Sequence, residues 1–493
     1  MLLYLTLLLP LLGGAILPLF RFASVKSRGI YVEAVVLATS VLTWILLLTR
    51  TEARYTLLHL YHMEGALDLS FRVDGMACVF AGLVSLLWPI ASLYAFEYMQ
   101  HEERPNTFFC FYTMSYAVTL AVALSANLFT LYIFYECLTL VTLPLVVHKQ
   151  DAKSNRAGRK YLTFSISGAA MAFIAMVCVI HFGSTTDFIL GGVLDPAKMA
   201  GYETVLQWVF LLAFVGFGVK AAVFPLHAWL PMASVAPTPV TALLHAVAVV
   251  NTGAYAVLRV IYYAFGAEFL FGTLPQTIAL CLACVTILFG SGMAVKEQHF
   301  KRRLAYSTIS NLSYMLMGAA LMTPAGMVGS LSHLVIHGVI KITLFYCAGA
   351  ILVRTGAEYV PDLRGFSRIM PLTCAAFTLG SVALVGIPPL AGFVSKWNLL
   401  TAAADTRLWM GLVAIGTLII SAILTAIYLF SAAMPMYFRP LGAEQSALAD
   451  TNRDPSWMML LPFGVLCAAM LGLGLWSQPL VTFLRDVASG LTY

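Results

Sequence analysis

The sequence predicts an all-α polytopic membrane protein of about fourteen transmembrane helices. Three observations carry this expectation. First, 61% of the 493 residues are hydrophobic and only 10% are charged, with a mean hydropathy of +0.89; an ordinary soluble domain carries about 25% charged residues. Second, apolar stretches of the roughly 20 residues needed to cross a bilayer recur along the chain. Third, the connections between them are short and polar. So little charge cannot cover a water-facing surface of this size, which excludes a soluble enzyme, a disordered scaffold and a nucleic-acid reader. The net charge of +6 does not reopen the last class, because the positive residues sit in short loops rather than on one face.

Candidate spans lie at 2–20, 30–49, 75–98, 106–125, 127–148, 157–182, 205–225, 238–265, 275–295, 303–322, 326–353, 368–402, 408–436 and 457–479. The first has no basic leader and no small-residue cleavage site, so it reads as a span and not as a removable signal peptide. The polar connection at 50–74 has the length for a short extracytoplasmic hairpin. The ninth span holds Cys281-x-x-Cys284 in the apolar run 278–285. A metal or redox site needs a polar, turn-rich setting, so these cysteines read as small packing residues.

The seventh and twelfth spans depart from a simple helix. The seventh runs into Phe224-Pro225-Leu226-His227 and then Leu230-Pro231. The twelfth contains Gly386-Ile387-Pro388-Pro389 and Gly392, and is too long for one straight crossing. Proline removes a backbone hydrogen bond and breaks a helix. In a membrane, broken backbone survives only where protein buries it or a wet cavity lines it. The two breaks lie five spans apart, which suggests two five-helix units with a transport site at the breaks. The chain then divides into 1–105 (helices 1–3), 106–265 (first repeat), 266–436 (second repeat) and 437–493 (a loop and the last helix).

Lysine and arginine set the orientation. Eighteen fall in loops on one side. They include Arg21, Lys26 and Arg28, the group from Lys149 to Lys160, the group Lys296 to Arg303, and Arg354, Arg364, Arg439 and Arg453. Six fall on the other: Arg50, Arg54, Arg72, Lys198, Arg407 and Arg485. The bias places both termini outside the cytoplasm, in a cell inner membrane, and agrees with an even number of spans.

A charge at a helix centre costs roughly 2.5–3.5 kcal/mol on insertion scales. Glu136, Lys220, Lys341 and Lys396 all sit within spans, so together they cost on the order of 10 kcal/mol. Mutual pairing or hydrated cavities have to offset that. Glu136 has no other charge within 131–140; its alternative is a protonated carboxyl packed against Tyr135 or a hydroxyl. Lys220 lies one turn before Pro225, where freed carbonyls offer a purely structural partner. Lys396 lies just past the second break. A lysine beside a break, twice, argues for a shared purpose. Arg259, late in its span, has the option of snorkelling to the interface.

His333, His337 and Lys341 recur every four residues, on one helix face about 6 Å apart along the axis. Neutral histidine both donates and accepts, so the stripe suits a proton relay, against the alternative of hydrogen-bonded packing residues. His245 adds a titratable group between the two units. His227 lines or caps the first break. Burial disfavours the charged form of lysine and glutamate, and a nearby opposite charge restores it. If Glu136 and Lys220 meet, their separation therefore sets whether the lysine holds its proton.

Other chemistry is missing. Gly216-x-Gly218 lies in a membrane helix and not after a strand, so it is no dinucleotide fingerprint. The sequence has no phosphate-binding loop, no c-type haem site and no cysteine set for an iron–sulfur cluster. No cofactor or metal is expected, and the driving force has to be an ion gradient or a partner.

Five motifs, in order on the appropriate spans, resemble a known family. They are Tyr135-Glu136; Lys220-x-x-x-Phe224-Pro225-Leu226-His227-x-Trp229-Leu230-Pro231 with Ala236-Pro237-Thr238-Pro239-Val240; Lys301-Arg302-x-Leu304-Ala305-Tyr306-Ser307; His333-x-x-x-His337-x-x-x-Lys341-x-x-Leu344-Phe345; and Gly386-Ile387-Pro388-Pro389-Leu390-Ala391-Gly392-Phe393-x-Ser395-Lys396. From about residue 75 to 436 the chain resembles the antiporter-like subunits of respiratory complex I, multisubunit Na+/H+ antiporters and membrane-bound hydrogenases. The resemblance implies fourteen helices with two inverted five-helix repeats. It implies that Glu136 and Lys220 form the first half-channel's charge pair. It also implies that His245, His333, His337 and Lys341 carry protons along the middle plane, and that Lys396 serves the second half-channel. Sister antiporter-like and small membrane subunits are the implied partners, with iron–sulfur or other redox subunits if the complex is redox-driven.

Four positions depart from the family pattern. Met232 and Val235 stand where many relatives have acids, Asn251 where several have a lysine, and His299 where an aspartate is usual. Asn251 shifts weight in the central relay to His245. An unrelated membrane transferase would need sizeable extramembrane loops, and the loops here are short.

Overall fold

The computed structural model describes residues 1–20, 22, 24–49, 53–61, 67–406, 409–441 and 453–490. Arg21, Arg50 and Arg407, used in the charge count, lie outside them. Two helices, α1 (Leu2–Ile16) and α2 (Val25–Thr49), open the chain. A hairpin of β1 (Tyr55–Tyr61) and β2 (Leu67–Phe71) follows, antiparallel, with Thr56 opposite Ser70. It occupies the polar connection where the sequence left a hairpin open. Next come α3 (Gly75–Tyr98), α4 (Pro105–Ala123), α5 (Leu128–Val146), α6 (Ala152–Phe182) and the short α7 (Pro196–Met199). The first broken span is α8 (Glu203–Gly218) with α9 (Trp229–Ala233). The eighth is α10 (Thr238–Ala246) with α11 (Val249–Arg259), followed by the one-turn α12 (Ala267–Leu270). Then follow α13 (Leu274–Lys296), α14 (Phe300–Ala320) and α15 (Pro324–Thr355). The second broken span is α16 (Pro371–Val385) with α17 (Ala391–Asp405), and α18 (Trp409–Phe438), α19 (Trp457–Leu475) and α20 (Gln478–Ser489) complete the chain.

Local chemistry fixes the starts. Asp74, Asn127, Asp151, Thr273 and Thr323 each accept a hydrogen bond from a first-turn amide of the helix they precede. Such caps satisfy donors that have no intrahelical partner. Among the described residues, ten helices are long and apolar enough to cross a membrane. Counted with the two broken spans, α4 and α14, these helices match the fourteen expected from the sequence in order and position. Loops tie together in two groups: Phe71 bridges Ser125 and Asn127 bridges Asp187 in one, while His299 bridges Tyr359 in the other. The two groups lie at loops that the charge count puts on different sides.

The helices α10–α11 and α15 are buried almost throughout, whereas α1, α2 and α19 are less than half buried and form the rim. The centre therefore holds the histidine stripe, and the least buried helices form the rim.

Three features differ from the sequence expectation. The eighth span is not continuous. The amide of Ala248 reaches five residues back to the carbonyl of Leu243 at 2.9 Å, and the side chain of Asn251 donates to Ala246 O at 2.8 Å. A bulge of this kind inside a helix carries no proline or glycine signal, and such bulges gather at functional sites. The second helix begins at Val25, not near 30. The last span is followed by α20, whose Val481, Leu484 and Val487 are buried while the opposite face is exposed.

Candidate functional site

The first break begins where α8 ends. The amide of Val223 returns to Gly218 O at 3.1 Å, Ala222 takes a positive φ of 58°, and the Trp229 indole donates to Val219 O at 2.9 Å. Lys220 is therefore carried on irregular backbone, fully buried. Gly253 of α11 makes this possible, since a Cβ there would stand 2.5 Å from Ala221 N. The Lys220 ammonium donates to the backbone carbonyl of Tyr135 and lies 3.4 Å from the centroid of the Tyr135 ring. Tyr135 is itself held, its hydroxyl donating to Phe217 O at 2.8 Å.

Glu136, on α5, places Oε1 3.8 Å from Lys220 Nζ. The two residues meet, as the sequence alone could not show. At that distance they form an ion pair without a direct hydrogen bond, which needs 2.7–3.2 Å. Glu136 Oε1 has no hydrogen-bond partner among the described residues. The partner of Lys220 is thus α5, and not the freed carbonyls of its own break.

At the second break the freed carbonyls do serve. Gly386 turns with φ of 92°, and Lys396 Nζ donates to Leu384 O at 2.7 Å and Val385 O at 3.0 Å, the last carbonyls of α16. Gly392 allows the start of α17 to touch the end of α16, because a Cβ there would collide with Ala383 O. Lys396 Nζ also stands 5.4 Å from the Tyr314 ring.

Between the breaks runs the stripe on α15. His333 Nδ1 pairs with Ser395 Oγ at 3.0 Å, one residue from Lys396. The rings of His333 and His337 are 5.8 Å apart. Lys341 donates to Leu304 O at 3.2 Å and to the Ser307 hydroxyl. His245, the last-turn residue of α10, is fully buried with its ring 4.8 Å from Phe345. Gly338 brings α15 against the bulge: a Cβ there would lie 3.2 Å from Ala246 O and 3.7 Å from the Asn251 amide. The expected residues thus lie on a row of packed elements: the Glu136–Lys220 pair at the first break, the α10–α11 bulge with His245, packed on that break through Gly253, and α15 with Lys396, packed on the bulge through Gly338. Neither ring nitrogen of His245 or His337 has a hydrogen-bond partner among the described residues, nor does His333 Nε2. Buried polar atoms are costly unless hydrogen-bonded, so this row calls for water.

Sequence reading missed the hydroxyls that support the row. Ser291 Oγ lies 2.7 Å from Ser310 Oγ and 2.6 Å from Ser421 Oγ, and the Tyr314 hydroxyl donates to Ser421 Oγ at 2.8 Å. Serine in a helix has no periodic signature, so only the packing of α13, α14 and α18 reveals the cluster. His227 packs its ring against Phe224 (5.5 Å) and Phe289 (4.5 Å) beside the first break.

Arg259 does not snorkel. It is fully buried, and its two terminal nitrogens donate to the two carboxylate oxygens of Asp74, each at 2.6 Å. Nε and Nη2 also donate to the Tyr255 hydroxyl, at 3.0 and 2.7 Å. Among the described residues, no group of three or more His, Cys, Asp or Glu is placed to hold a metal ion.

Chemically, the row holds titratable groups, with three lysines whose surroundings differ: Lys220 faces a carboxylate, Lys396 two backbone carbonyls, and Lys341 a carbonyl and a hydroxyl.

Residues 125–425 match the family model described as NADH:quinone oxidoreductase/Mrp antiporter, TM. Residues 62–109 match the one described as NADH-ubiquinone oxidoreductase (complex I), chain 5 N-terminus. The chain is 30% identical over 424 residues to NADH-quinone oxidoreductase subunit N of Desulforudis audaxviator, covering 83% of this chain and 82% of that one. It is 26% identical over 436 residues to a subunit of the Na(+)/H(+) antiporter of Alkalihalophilus pseudofirmus, covering 88% and 85%. Its fold superimposes on a chain of the archaeal membrane-bound sulfane sulfur reductase with a TM-score of 0.83 at 19% identity, covering 99% and 97%.

Proposed function

The chain belongs to the NADH:quinone oxidoreductase/Mrp antiporter transmembrane family, and from that premise we propose that it is a proton-translocating, antiporter-like subunit of a multisubunit membrane complex. The observation that carries the proposal is the row itself: two helix breaks, one with the buried Lys220 and one with the partly buried Lys396, with titratable side chains on the most buried helices between them. Protons enter the first half-channel at Glu136 and Lys220, pass His245, Lys341, His337 and His333, and leave by way of Lys396.

The working unit comprises residues 106–265 and 266–436 as two inverted repeats, with 1–105 and 437–493 as flanking helices. We place it in the cell inner membrane with both termini extracytoplasmic, the basic loops facing the cytoplasm. The preferred complex is redox-driven, with iron–sulfur or other electron-carrying subunits beside sister antiporter-like subunits; the 30% identity to a quinone oxidoreductase subunit over most of both chains supports it. The alternative is a gradient-driven antiporter without a redox partner, supported by the nearly full-length likeness to the Na(+)/H(+) antiporter relative.

Mild detergent extraction followed by identification of the bound neighbours separates the two. Iron–sulfur proteins are the expected result; a set of small hydrophobic subunits alone would select the antiporter. In vesicles holding the intact complex and a pH dye, the double substitution His333→Ala, His337→Ala is expected to slow proton movement about a hundredfold, the scale of losing proton-transfer groups. An unchanged rate would assign both histidines to packing.

A further inference from the structure

We propose that the basic-rich face between α13, α14 and α18 binds the headgroup of an anionic phospholipid, whose acyl chain lies along α18. A cavity of about 320 Å³ opens there, lined by Gln298, Arg303, Arg364 and Arg439. It shares Ile427, Ser431, Pro435 and Arg439 with a groove of about 680 Å³ along α18, whose remaining walls include Phe430, Met434 and Phe438. A basic pocket thus ends an apolar groove that faces the membrane, where Met434 and Phe438 are exposed. That juxtaposition is the chemistry of a lipid: apolar tail, anionic head.

The pocket is built and not incidental. Arg303 is only 3% exposed. Its Nε donates to Glu297 O at 2.8 Å, and Nη1 donates to Tyr428 O at 3.0 Å and Ser431 Oγ at 2.8 Å. This fixes one guanidinium as the floor. Arg364 and Arg439 are exposed at the mouth and form no ion pair among the described residues. Gly365 keeps the mouth in place, its amide donating to Pro435 O at 3.0 Å.

No acid lines either space. The nearby acids are turned elsewhere: Glu297 to Arg302 and the His299 amide, Glu358 to His299, and Asp362 to the Tyr359 amide. Basic pockets between membrane helices on the cytoplasmic side recognise anionic headgroups in this way. The helix of a neighbouring subunit would fill the groove but leave three guanidiniums without an anion, so the charge favours the lipid.

The test uses the intact complex in mild non-ionic detergent, washed free of lipid. Phosphatidylglycerol, phosphatidylcholine or inorganic phosphate is added back, and binding is read by native mass spectrometry and by the shift in thermal unfolding. The wild type is expected to bind phosphatidylglycerol at least about tenfold more tightly than phosphatidylcholine. Arg364→Gln and Arg439→Gln are each expected to weaken phosphatidylglycerol about fivefold, and together about twenty-fivefold, leaving phosphatidylcholine unchanged. Met434→Asn is expected to weaken both lipids. Equal binding of the two lipids, or unchanged affinity in both single variants, would overturn the proposal. So would competition by inorganic phosphate at equal affinity, or a subunit helix seated in the groove with no lipid retained.

Discussion

Lys220→Ala and Glu136→Ala are each expected to stop proton movement in vesicles, falling about a hundredfold or more to the leak rate, while the complex still inserts and assembles. Lys220 is the only cation that forms an ion pair with Glu136 among the described residues, and its ammonium also contacts the Tyr135 carbonyl and ring. Removing it deletes the group that the proposal makes the proton carrier of the first break. The informative substitution is Lys220→Arg. Arginine keeps the positive charge and the attraction for Glu136, but it does not release a proton in a protein. If the pair acts as a proton switch, the arginine variant is as inactive as the alanine one. If the pair is a structural clamp, arginine restores function. Wild-type transport in both alanine variants would defeat the charge-pair mechanism altogether.

The charges could be read in the sequence because the membrane makes them conspicuous. A lysine in a 61% hydrophobic chain stands out, and two of them beside proline breaks stand out further. Helix number and order were legible for the same reason: most spans are apolar runs of sufficient length. What escaped was chemistry that composition does not mark. The bulge at Val247–Ala248 sits in ordinary helix-forming sequence, and only its hydrogen bonds expose it. The amphipathic α20 is too short and too polar to read as a span. The Ser291–Ser310–Ser421 cluster joins three helices that are distant in sequence. The roles of Glu136, Lys220 and the histidines are another matter. The fold brings them into one row, and transport measurements decide what the row does.

Arg259 is the plainest case of a residue misread for want of its partner, and it carries the largest expected effect on stability. Asp74 lies 185 positions away, so no local pattern links the two. Asp74 also caps α3 by accepting from the Ala77 amide at 2.9 Å. Arg259 is ringed by Phe188, Tyr255 and Tyr263, with centroids 5.0, 5.2 and 4.6 Å from its central carbon. The Tyr255 hydroxyl accepts from the guanidinium and donates to Ala123 O at 2.8 Å. One ion pair thus joins the start of α3, the end of α4 and the end of α11. Arg259→Met leaves the Asp74 carboxylate with only the longer contact to the partly exposed Arg72, at 3.7 Å, and Asp74→Asn leaves the buried Arg259 guanidinium without its counter-charge. Breaking a buried pair from one side costs about 3–5 kcal/mol. Each single variant is therefore expected to unfold at a markedly lower temperature or denaturant concentration in detergent. The double variant Asp74→Asn, Arg259→Met removes both charges, and replacing a buried pair by neutral groups of similar size is often nearly neutral. It is expected to recover most of the loss. Arg259→Lys is expected to behave as a single variant, because an ammonium cannot span both carboxylate oxygens and the Tyr255 hydroxyl at once. Single variants as stable as the wild type would mean that water reaches this pair, and that the three helix ends are held by packing alone.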